Sequence, residues 1–166
     1  MSLKKWHIAG FLFISLAGVL LHYAYALSEQ NHFVGYFSPV NESIWEHLKL
    51  IYWPSVIFMI AEHVTYGKSE ADFFAVKMCS MIGALAFVVT FFYTYSGVLG
   101  FSLLAVDIFS YFASVGICQL ISYKMFCVPT DGDKSDNLRG IVALIILGVC
   151  FVMWTYAPPY LGIFWG

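Results

Sequence analysis

Charge is what this sequence has least of. Lysine and arginine together number 8 and aspartate and glutamate 10 in 166 residues, so 11% of the chain is charged while 61% is hydrophobic. Soluble domains carry roughly 25% charged residues, which excludes an ordinary soluble core. The net charge of −2 says little by itself, and no nucleic-acid partner is expected. Paired cysteines are missing as well. Cys79, Cys118, Cys127 and Cys150 show neither disulfide nor zinc-knuckle spacing, and those within apolar segments read as small buried hydrophobes. No internal repeat and no low-complexity linker interrupts the chain. The loop "VPTDGDKSDNLR" offers Asp131, Asp133 and Asp136 but lacks the glycine and terminal glutamate of a calcium-binding loop, so it reads as a solvated turn. An HExxH metal motif is absent, and the Asn41-Glu42-Ser43 sequon abuts an apolar run and reads as a chance match.

What the chain does have is apolar length. A spanning helix needs about 20 mostly apolar residues. Segments 8–27, 44–66, 73–95, 101–123 and 140–157 come close. The expectation is a single all-α domain, 1–166: a polytopic transmembrane bundle of five helices, multi-pass in a bacterial cytoplasmic membrane. Lys4, Lys5, Lys68, Lys77, Lys124, Lys134 and Arg139 fall on one side if five spans alternate, leaving Lys49 on the other. The positive-inside rule then puts the N-terminus in the cytoplasm and the C-terminus outside. Ala24-Tyr25-Ala26 ends the first segment as a leader cleavage site would, but the segment is read as a retained helix.

Local punctuation supports these limits. Ser38-Pro39 is a good helix start, with Asn41 as an alternative N-cap. Pro54 removes a backbone bond to the Leu50 carbonyl and should kink the second span. Phe33, Tyr36 and Phe37 could dip from the first loop into lipid. Pro158-Pro159 stops the last helix, and Trp154, Tyr156 and Tyr160 suit an aromatic belt.

Polar residues inside such spans usually mark function. At 1.5 Å per residue, His22 lies about 8 Å, Glu46 about 6 Å and Asp107 about 9 Å below one boundary of the bilayer. Three helices thus bring polar groups to one layer. Glu42, Glu46, Lys49 and Trp53 share a helical face, and His47 is turned from Glu46 by about 100°. Ser15, Gly18 and His22 make a second stripe; Asp107, Tyr111, Ser114 and Cys118 make a third, running on toward Gln119 and Ser122. The plain reading is that Glu42 and Glu46 are solvated near the headgroups and Lys49 snorkels while pairing with Glu46. The functional reading makes a cleft with Glu46, His47 and Asp107 as catalytic groups and Asn41, Glu42, Trp45, Lys49 and Tyr111 as substrate contacts. His22, Glu46, His47 and Asp107 could also hold a divalent metal such as zinc. Glu62-His63, about 24 Å farther along the helix, is read as solvated at the opposite interface.

The string "NESIWEHLKL", with Thr155-Tyr156 and Pro158-Pro159 later, resembles a family of small bacterial integral membrane proteins of unknown function. The resemblance covers the whole chain and implies Asn41, Glu42, Trp45, Glu46, His47 and Lys49 as matched positions. It implies no reaction. The polar layer suits a membrane-embedded enzyme, a hydrolase or transferase acting on a lipid or lipid-linked substrate. Two other classes fit the same residues: a proton-coupled small-solute or ion transporter working as a dimer, hence a homo-oligomer, and a non-catalytic membrane subunit.

Overall fold

In the computed structural model, which describes residues 2–70, 72–128 and 134–165, the chain is all α. The helices are α1 (Leu3–Leu27), α2 (His32–Gly35), α3 (Ile44–Thr65), α4 (Phe73–Leu99), α5 (Leu104–Phe126) and α6 (Lys134–Tyr156). This corrects the expected five-helix bundle: among the described residues there are six helices, and only α1, α4, α5 and α6 are long and apolar enough to cross a membrane. The single-turn α2 was hidden in the polar first loop. The segment taken as a second span, α3, has the length but carries Glu46, Lys49 and Glu62 in a helix of 22 residues. With five alternating spans gone, the orientation derived from them loses its basis. Four long apolar helices make this a multi-pass integral membrane protein.

Long helices alternate in direction, which puts defined residues at each end of the bundle. At one end the close of α1, α2, the start of α3 and the close of α6 meet through Ser38, Lys49 and Thr155. At the other, His7 of α1 bonds Ser122 of α5, Glu62 of α3 pairs with Lys77 of α4, and Asn137 of α6 accepts from the Phe74 amide. Lipid-facing stripes are plain: Leu12, Leu16 and Leu20 of α1 are each more than half exposed, as are Ile145, Ile146 and Met153 of α6. Helix α3 is different. It buries Glu46, Lys49 and Glu62 together with Ile51, Tyr52, Phe58 and Met59, and leaves Ile57, Ile60 and Val64 exposed.

Small residues let backbones approach, as membrane helices require. A Cβ built on Gly18 would lie 2.5 Å from the Leu50 carbonyl, the acceptor that Pro54 leaves without its helical donor, and would also strike the Tyr111 hydroxyl. One on Gly140 would lie 2.5 Å from the backbone of Phe74 and Ala75, so α6 crosses α4 there.

Several local expectations are revised. Ser43, not Ser38 or Asn41, caps α3, its Oγ accepting from the Glu46 amide at 3.4 Å. Asn41 Oδ1 accepts from the Ser43 amide at 2.9 Å, an Asx-type turn that leads into the helix. Ser38 is buried against α1, where its hydroxyl accepts from the Tyr25 amide and donates to the Leu21 carbonyl, inserting into the ladder of that helix. Of the loop aromatics only Phe33 is exposed; Phe37 stacks edge-on against Trp53, and Tyr36 against Tyr156. Trp154 turns inward onto Trp45 and Phe164, while Tyr160 is exposed at the surface and stacks on Trp165. Asp131 and Asp133 lie outside the described residues, and Asp136 pairs with Arg139.

Candidate metal centre

The expected polar layer resolves into three separate networks. The first joins His22, Glu42 and His47, each offering a ligand atom within 4.8 Å of the others. It forms because α1 packs closely on α3, which sets the His22 and His47 rings 5.3 Å apart. Glu42 reaches them from outside the helix, as the residue before the Ser43 cap, and keeps a side chain 80% exposed.

The second network takes Glu46 away from the cluster. Glu46 and His47 diverge by about 100° around α3. Glu46 therefore accepts from the Val40 amide at 3.0 Å and from Lys49 at 2.7 Å instead of facing His22. Lys49 does not snorkel. Its ammonium is wholly buried and donates three times, to Glu46 Oε2, to the Gly35 carbonyl at 3.0 Å and to Thr155 Oγ1 at 2.6 Å. An ammonium has three donors, so none is left for a ligand.

Asp107 forms the third, in the first turn of α5. It accepts from the Tyr95 hydroxyl, which accepts in turn from the Leu103 amide. It does not join His22 and His47. Of the other expected contacts, Trp45 lies in a cluster with Phe151, Trp154 and Phe164. Tyr111 donates into the Ile14 and Ser15 carbonyls of α1, about two turns deeper than His22.

A fourth polar group was missed. Glu62 is buried, not solvated. Its Oε2 lies 2.5 Å from Lys77 Nζ and its Oε1 accepts from Tyr66 at 2.9 Å. The Lys77 ammonium also lies over the Phe73 and Phe126 rings. Tyr66, just past the end of α3, has its hydroxyl pushed well above the usual phenol range by burial and then by Glu62, so it stays a donor. The signal was available: Glu62 sits three residues before the end of one helix and Lys77 four after the start of the next, at equal depth.

The first network is the one that fits a metal. His47 Nδ1 is 2.9 Å from the Ser43 carbonyl, so Nδ1–H donates there and Nε2 turns to Glu42 at 3.4 Å. Such a second-shell bond is what fixes a ligating histidine. Nε2 then either carries a second proton, as an imidazolium paired with Glu42, or presents a lone pair to a cation. Ligands on tetrahedral zinc, at bonds of 2.0–2.1 Å, stand about 3.4 Å apart. His22 Nδ1 is buried with no hydrogen-bond partner, an orphan that a metal would satisfy.

A family of unknown function, DUF6512, matches over residues 1–166. The chain belongs to that family. No curated protein and no solved structure matches it. Membership of an uncharacterised family carries no reaction with it, so function must be argued from the site.

Proposed function

We propose that this protein is a metal-dependent hydrolase of a bacterial cytoplasmic membrane, acting on an ester in a lipid or lipid-linked substrate. His22, Glu42 and His47 would hold one divalent cation, zinc first among them. The observation that carries the reading is their convergence within 4.8 Å, on a His22 ring whose buried Nδ1 has no hydrogen-bond partner. Two histidines and one carboxylate leave a coordination position open, the arrangement of catalytic zinc sites rather than structural ones.

A bound cation would lower the pKa of water and polarise the ester oxygen. Overall, water oxygen bonds to the acyl carbon, the ester carbon–oxygen bond breaks, and the two hydrogens of water end on the acid and the alcohol. The residues of the chain do the positioning. Ser43 holds the His47 ring through its carbonyl, Asn41 shapes the turn that presents Glu42, and the Glu46–Lys49 pair fixes the first turns of α3. Tyr111 ties α5 to α1 about two turns deeper than His22.

The test is elemental mass spectrometry on protein purified in mild detergent. Stoichiometric zinc, manganese or iron, lost in His22→Ala and in Glu42→Gln, is the expected result. Absence of metal above background in the wild type after zinc loading would end the hydrolase reading. One observation favours a carrier instead: a second buried pair, Glu62–Lys77, lies at the opposite end of α3. That reading expects proton flux in liposomes, abolished by Glu62→Gln, from a protein without bound metal.

A further inference from the structure

The two ends of the bundle differ in charge, and the difference bears on what the metal site can accept. Lys4, Lys5, Lys68, Lys124 and Arg139 are exposed, and all lie at the end of the bundle that holds Glu62 and Lys77. At the end of the metal site Lys49 is the one lysine or arginine among the described residues, and its ammonium is sealed by three bonds. The ionisable groups left open there are acids and histidines: Glu29 and Glu42 are exposed, and Asp107 is half-buried.

We infer that the substrate headgroup is zwitterionic, an ester-bearing lipid with an ammonium group, and not an anionic one. The inference rests on the hydrolase reading above and names its substrate class. With a divalent ion bound by one carboxylate and two neutral histidines, the site carries a single net positive charge, enough for one developing oxyanion. A phosphomonoester or an anionic headgroup ordinarily meets an arginine or lysine fork as well, and none is free here. An ammonium finds favourable groups instead. The Tyr23 ring is 58% exposed and makes a T-shaped contact with His22, 5.1 Å between centroids, so an exposed aromatic ring stands beside the site for a cation. Glu29, two residues past the end of α1, adds negative potential at the same surface.

The experiment uses the zinc-loaded full-length protein with vesicles of phosphatidylcholine, phosphatidylethanolamine or phosphatidylglycerol, measuring fatty acid and headgroup release. Turnover of the two zwitterionic lipids should exceed that of phosphatidylglycerol by roughly tenfold at low salt, and the ratio should shrink as salt rises. Glu29→Lys should narrow the ratio and Tyr23→Leu should slow the zwitterionic lipids selectively, both with zinc content unchanged. Equal or faster release from phosphatidylglycerol, with zinc bound, would overturn the charge inference and leave the hydrolase standing. No release from any lipid at full zinc occupancy would remove the hydrolase reading and this inference with it.

Discussion

Glu42 and Glu46 are four residues apart, each beside a basic side chain, and their fates are opposite. Glu46 is 2% exposed and locked to a lysine that has spent every donor, whereas Glu42 is 80% exposed and faces two histidines with a nitrogen unpartnered. Saturation separates them. A charge whose bonds are all internal is part of the frame; one whose neighbours are unsatisfied is available for chemistry. The comparison breaks if the sealed pair proves dispensable or the open cluster proves structural.

The largest effect should come from removing one partner of the sealed pair. Lys49→Met leaves the Glu46 carboxylate buried without its cation, and breaking a buried pair costs about 3–5 kcal/mol. Thermal unfolding in detergent should show the variant strongly destabilised, with α2 and the close of α6 loosened because Lys49 ties both. Glu46→Gln together with Lys49→Met should recover much of that loss. A single variant as stable as the wild type would mean that the pair is not a frame at all.

Lys77→Met makes the same test at the far end and should cost somewhat less, about 3 kcal/mol. Tyr66 still donates to Glu62 there, and the aromatic faces that the ammonium covered can repack. Metal content should be unchanged, since Lys77 lies at the opposite end of the bundle from His22. Loss of metal in this variant would couple the two ends and favour a carrier.

How much of this was legible in the sequence follows from what each feature depends on. Apolar runs set helix ends well: 44–66 was expected where Ile44–Thr65 is found, and 73–95 where Phe73–Leu99 is found. Those runs could not show that α3 packs on α1, α4 and α6 and exposes only part of its surface, with Ile57, Ile60 and Val64, because a helix packed among apolar ones and a helix facing lipid have the same hydrophobic middle. Depth reckoning put His22, Glu46 and Asp107 in one layer, and rise per residue fixes no more than that. Azimuth was the harder quantity. Which neighbour Glu46 or Asp107 faces depends on how the helices pack, and Glu42 lies on a turn where helical periodicity does not apply at all.

His22→Ala and His47→Ala sharpen the open side of the comparison. Each should abolish stoichiometric metal while changing stability by no more than about 1 kcal/mol in metal-free protein, because neither ring completes a saturated network. Zinc should raise the unfolding temperature of the wild type only: at 100 times the dissociation constant, binding adds about 2.7 kcal/mol to the folded state. A comparable zinc response in both variants would place the metal elsewhere.

Asp107→Asn is the smallest of these changes and the one that most directly separates the observed cluster from the expected layer. Asn keeps an oxygen for the Tyr95 hydroxyl, so the turn between α4 and α5 should lose about 1 kcal/mol, the share of a hydrogen bond that was charge-assisted. Metal content and zinc response should be those of the wild type, because Asp107 bonds across to α4 while the ligands lie between α1 and the start of α3. If Asp107→Asn releases metal as His22→Ala does, the carboxylate reaches the ion in the loaded protein. The three networks would then close into one layer when metal binds, and the separation between Glu42 and its sealed neighbours would belong to the metal-free state alone.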